Sequence, residues 1–173
     1  VPGLDHLEGE DVSAFGDGYV AASAKNADYE VVTVTGGEAT LSRCYSVIHV
    51  GLPITSDLET LDVDLADSRS LANQNKKSSS VVLWLEDTRG GFVGPKPPED
   101  DTRNTTADPL YGLVEFKPRS MEDYDDTPDL KTGPHELKIL PEWNSNGRIF
   151  IRQVDPLPMS VLGIVIDGTY PRG

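Results

Sequence analysis

The chain has 173 residues, 37% of them hydrophobic, with 16 glycines and 13 prolines, a mixture that suits short strands and turns better than a helical bundle. That length supports one substantial core or two small ones in close contact. A formal charge of −14 repels nucleic-acid phosphates and anionic membrane surfaces, and no apolar run approaches the roughly 18–20 residues of a membrane helix.

The first predicted elements are β-prone runs at Asp11 to Phe15 and Tyr19 to Ala22, separated by Gly16-Asp17-Gly18. Asp-Gly between such runs signals a hairpin, because a type I′ turn needs two residues at positive φ. Tyr29 to Val34, a Gly36-Gly37 turn, Ala39 to Leu41 and Cys44 to Val50 extend the series, which Gly51 and Pro53 close. Residues 1–53 therefore read as a small β-barrel or meander domain. Gly3 and Gly9 bracket Leu4 and Leu7 in a tight approach to the first strand.

Residues 54–173 read as a β-sandwich-like domain. In 54–65 the second half alternates with period two, as a strand with one wet face does. A polar loop or short helix precedes Val81 to Leu85, the best strand in the chain, and Thr88 to Gly91 turns it into Phe92 to Gly94. Residues 95–109 and 118–134 read as exposed acidic, proline-punctuated loops on either side of a strand at Leu110 to Phe116. Three closing strands are expected at Glu136 to Ile139, Arg148 to Arg152 and Ser160 to Ile166, with Asn144 to Gly147 as a hairpin turn between the first two. The fold class is all-β.

Little in the chain carries chemistry. Cys44 is the single cysteine, so no internal disulfide and no cysteine zinc cluster is possible, and its strand setting predicts a small buried or half-buried side chain. His6, His49 and His135 are scattered and match no metal-ligand spacing. The acidic runs at 62–67, 99–101 and 122–129 lack the glycine-bent ligand loop of a calcium site and read as solvated loop charge. Asn104-Thr105-Thr106 fits a glycosylation acceptor without a secretion signal to support it. No catalytic residue, cofactor or metal site is expected, and the chain is predicted not to be an enzyme. The opening Val-Pro-Gly lacks an initiating Met and a signal peptide, so a piece of a longer polypeptide is expected.

Three stretches taken in order carry a resemblance. They are Gly3 to Val12 with Asp17-Gly18 and Val47 to Leu58; Lys76-Lys77 with Val81 to Leu85 and Asp87 to Pro95; and Thr132-Gly133 with Trp143-Asn144 and Gly147 to Leu162. In this order they resemble the C-terminal part of the tail nozzle (tail tubular B-like, or packaged-DNA stabilisation) proteins of short-tailed bacteriophages. The first stretch alone is also similar to a small β-domain of ubiquitin-activating enzymes. The nozzle resemblance implies a structural virion component without enzymatic activity. It implies a hexameric ring at the DNA exit channel, with tail adaptor and fibre or needle proteins as neighbours. The implied location is the phage tail, and the host cytoplasm during assembly. Neither sequence-specific nucleic-acid binding nor membrane insertion is expected.

Beside that resemblance, Pro156 and Pro158 fix φ and remove backbone donors around Leu157, so this segment cannot lie mid-sheet. Pro156, Leu157, Pro158 and Leu7 are the interface candidates, with ordinary turn chemistry as the competing reading. The alternative function is a carbohydrate- or receptor-binding module at the tail tip. For that function Trp84 and Trp143 are the candidate glycan contacts.

Overall fold

The computed structural model describes residues 1–64, 74–98, 108–116 and 127–169. Most of the acidic loop residues and Asn104 therefore lie outside the described residues. Among those described, the chain is nearly all β, with one 3-10 turn at Asp5–Leu7.

The N-terminal part is organised around β1 (Asp11–Gly16), which pairs antiparallel with β2 (Tyr19–Ala22), β3 (Val32–Thr33) and β4 (Ile48–Gly51). The β1–β2 turn is the expected one: Asp17 and Gly18 have φ of 46° and 84°. The Asp17 carboxylate then accepts hydrogen bonds from the Ser46 and Val47 amides, at 2.6 and 2.8 Å, and so holds the chain leading into β4. Glu8 does the same for the Gly36-Gly37 turn, accepting from both glycine amides at 2.9 and 2.7 Å. Val12, Ala14, Ala22, Val32, Val34 and Ala39 form a small core, with Leu4, Leu7, Tyr45 and Ile48 packed against it. Of the two forms expected here, barrel or meander, a closed barrel is not formed by its ladders among the described residues.

Both carboxylates lie below their ordinary pKa values of 4.5 (Glu8) and 3.8 (Asp17), chiefly because of these backbone amides. A lowered folded-state pKa means the unfolded chain binds the proton more tightly. The stabilisation is complete above the ordinary values and is lost as pH falls through the folded ones. As pH falls below those ordinary values and through the lower folded ones, the Gly36 and Gly37 amide resonances should move with Glu8, and those of Ser46 and Val47 with Asp17. In Glu8→Gln and Asp17→Asn they should not track that titration.

Cys44 is a correction. Strand β4 starts only at Ile48, and Cys44 lies on the irregular, exposed approach that Asp17 pins. Val47, Ile48 and Val50 carried the strand pattern, but the Ser46 and Val47 amides turn to the Asp17 carboxylate instead. An exposed thiol should react stoichiometrically with a disulfide reagent in native buffer, at a rate unchanged by denaturant; slow, unfolding-limited reaction would contradict the placement.

The C-terminal part has two sheets. In the first, β6 (Lys76–Thr88) is central. Lys77 pairs with both Trp143 and Thr169, and Ser80 with both Lys138 and Asp167. Hence β12 (Val161–Thr169) runs along one edge of β6, while β9 (Lys131–Lys138) and β10 (Trp143–Asn144) share the other. The second sheet has the order β5 (Ser56–Glu59), β11 (Phe150–Gln153), β7 (Phe92–Gly94), β8 (Val114–Glu115). Val81, Leu83 and Leu85 alternate along β6 and point inward, onto Val93, Ile149 and Ile151. Leu137, Ile139 and Phe116 complete this core, which makes the arrangement sandwich-like.

Several expected boundaries move. The strand in 54–65 is its first half, β5, because Arg152 on β11 grips Asp57 with two hydrogen bonds of 2.8 Å and Arg148 bonds Glu59 and Asp62. Leu110 to Gly112 is a turn, fixed by Asp108 accepting the Leu110 amide, so the strand shrinks to β8. Lys131 to Pro134, read as the end of a loop, belong to β9 and pair with Thr88 to Trp84. Asn144 to Gly147 and Thr88 to Gly91 are turns between sheets, since the strands they join do not pair with each other.

Candidate interaction surfaces

The proline segment is built into the chain's own junction. At the end of β11, Gln153 is buried, and its Oε1 accepts the Val154 and Asp155 amides at 3.1 and 3.3 Å. Its Nε2 donates to the Arg89 and Leu157 carbonyls, both at 3.4 Å. Leu157 is half-buried, and its Cδ1 lies 2.7 Å from where a Cβ on Gly90 would stand; Gly90 also has φ of 73°, a conformation that favours glycine, so a side chain there would be strained and would push the leucine tip aside. Ser160 donates its amide to the buried Thr88 hydroxyl at 2.8 Å. The stiff segment is thus tied to the 88–91 turn. Pro158 is exposed, whereas Pro156 and Leu157 are half-buried.

That turn also reaches the N-terminal part. Arg89 donates to the Gly18 carbonyl at the hairpin tip, Asn26 donates to Asp155 at 3.0 Å in a buried setting, and Thr127 packs directly over Gly18. Leu7 is half-buried against the N-terminal core. Among the four interface candidates, only Pro158 presents a mainly solvent-facing side chain.

The two tryptophans are placed differently. On β6 the residues opposite to the core-facing set are Ser80, Val82, Trp84 and Glu86. Trp84 is 49% exposed on that outer face, flanked by Gly163 on β12 and Pro134 on β9. Val165 and Leu162 on β12 are 54% and 67% exposed beside it. Trp143 is 52% exposed on β10, opposite Lys77, whose ammonium stands 5.9 Å from the ring. From Lys77 to Trp84 the strand runs about 23 Å at about 3.3 Å per residue, so the rings share a face without sharing a contact point.

No protein-family model matches this chain, and no curated protein matches it.

Three clefts among the described residues bear on chemistry. One, of about 420 Å3, has Pro95 to Pro98, Tyr111 and Leu140 to Glu142 as walls, and its carboxylate is bridged to Lys96 at 3.1 Å. A second, of about 300 Å3, lies between β5 and the Leu157–Val161 segment, where Asp57 is held by Arg152. The third, of about 360 Å3, follows Leu41 to Ile48 and has no carboxylate. A two-carboxylate hydrolytic site needs a facing pair, and none of these clefts supplies one. Among the described residues no cluster of three or more His, Cys, Asp or Glu could hold a metal ion. His135 points at Phe116, ring edge to face at 4.6 Å, and burial pulls its pKa below the ordinary 6.5, with Lys131 adding to the effect. It packs a core edge.

The residues missed in the sequence were Leu162 and Val165. Their run, Val161 to Ile166, is apolar throughout and has no alternation, so period gave no sign of which side chains face water.

Proposed function

We propose that this chain is a structural module that works by packing against neighbouring protein, as a component of a short-tailed phage tail of the nozzle type. The observation that carries the reading is the exposed apolar face of the β6 sheet. Trp84, Val165 and Leu162 are all exposed there, Trp84 opposite Gly163 and Val165 two residues further along the same strand. Such a face is a poor surface to leave in water and a good one to bury against another protein. The ordered resemblance of three stretches supplies the tail context. The acidic charge agrees with a part that stands near DNA without gripping it.

The second reading, a carbohydrate- or receptor-binding module, draws on the same exposed tryptophans. A glycan touching both would have to span their separation, and Trp84 has hydrophobic neighbours where sugar hydroxyls need hydrogen-bond partners. Antibody raised against the purified chain, applied to particles of the phage that encodes it, should decorate the tail. Label on infected-cell debris with bare particles would contradict the reading. A glycan array retained by wild type and lost in Trp84→Ala would favour the second.

A further inference from the structure

We propose that β12 is a pairing edge, on which a second copy of this chain adds its own β12 antiparallel about a two-fold axis at Val165. The first observation is the contrast between the two edges of one sheet. The β9 edge carries Lys131, Pro134 and Lys138, the residue types that block further strand pairing. The β12 edge carries neither Lys nor Pro, and its regular stretch reads Gly163-Ile164-Val165-Ile166-Asp167 between two register shifts. On the other sheet, β5 on the same side is short and has two acids in four residues. Among the described residues, β12 is the long, apolar edge strand, and it pairs only with β6.

The second observation is an unfinished core beside it. Val81 and Leu83 on β6 are 0% exposed, whereas their partners Ile166 and Ile164 on β12 are only partly buried. Below the Val161 end, Leu58, Ile151, Leu157 and Met159 line the open cleft between β12 and β5. A strand added to β12 would cover the inward isoleucines.

The sequence of the strand favours a copy of itself. With Val165 opposite Val165, Ile164 meets Ile166 and Gly163 meets Asp167. The one charge in the stretch then faces a glycine and never its own equivalent, so no like-charge pair opposes the register. Ile164 and Ile166 extend the core from one copy to the next, and Val165 pairs on the outer face. Because each chain carries −14, association should strengthen as salt rises, opposite to a contact held by ion pairs.

The inference rests on reading the chain as an assembling module, but not on the ring. A two-fold contact cannot by itself close a six-membered ring. Its failure would leave the tail reading to the labelling experiment.

The test is sedimentation equilibrium on the whole chain. Wild type should show a monomer–dimer equilibrium that tightens between 50 and 500 mM NaCl, roughly the span over which charge screening becomes strong. Val165→Lys and Val165→Asp should each weaken dimerisation about tenfold, and an equimolar mixture of the two should restore it, because their charges would then face each other. Amide exchange on wild type supplies a readout free of substitutions: protection at 163–167 should rise with protein concentration. Wild type that stays monomeric, variants that dimerise like wild type, or a mixture that fails to recover would each overturn the proposal.

Discussion

Gln153→Leu is expected to destabilise the chain by about 3 kcal/mol, although the two side chains are close in volume. A buried unsatisfied polar group costs about 1–3 kcal/mol, and this replacement strips partners from several at once. The Val154 and Asp155 amides lose their acceptor, and the Arg89 and Leu157 carbonyls lose their donor. Two of those four bonds are 3.4 Å long and contribute less, which keeps the expected cost near that of two good ones. The loss should also be directional. Asp155 holds Asn26, and Arg89 holds Gly18, so the contact between the N-terminal hairpin and the sandwich should loosen with it. Urea unfolding should show a lower midpoint, and Gly18 and Asn26 amides should exchange faster than those of β6. Uniform exchange across the chain would mean that Gln153 serves general stability and not the junction.

Leu83→Ala has the second large effect, about 3 kcal/mol, within the 2–5 kcal/mol typical of leucine truncation in a core. Leu83 is 0% exposed, at the middle of the longest strand, with neighbours on both edges through His135 and Ile164. Its side chain sits between two sheets whose strands are fixed by their ladders, so the space it leaves cannot easily collapse. The urea midpoint should fall without a change in slope. Trp84→Ala, one residue away on the outer face, should cost far less in the isolated chain, since half of that ring is already in water. The contrast between adjacent residues is a direct check on which face is the core.

The all-β class was legible because the signals were local. Asp17-Gly18 demanded a hairpin and formed one, and alternation from Val81 to Leu85 placed the core face of β6. What sequence could not tell was which strands pair. Thr88 to Gly91 and Asn144 to Gly147 have turn chemistry suited to hairpins, yet they carry the chain from one sheet to the other. Turn residues fix local φ and ψ, not the partner of the next strand. Pro156 and Pro158 marked the segment around Leu157 as stiff, but the neighbour of Leu157 is Gly90 in the same chain, which no local pattern could reveal. Arg148 and Arg152 likewise looked like ordinary strand charges until Glu59, Asp62 and Asp57 were brought beside them. The surface that matters most to the proposed function, around Val165, lies in an apolar run where both faces look alike.

Hydroxyl-radical footprinting of Trp84, read by mass spectrometry, tests the central claim most directly. In the isolated chain the ring should oxidise readily, as its exposure requires. In intact phage particles the same ring should be protected several-fold, because a protein neighbour covers the β6 face. Equal oxidation in both, with Trp84 still open to water on the assembled particle, would contradict the account.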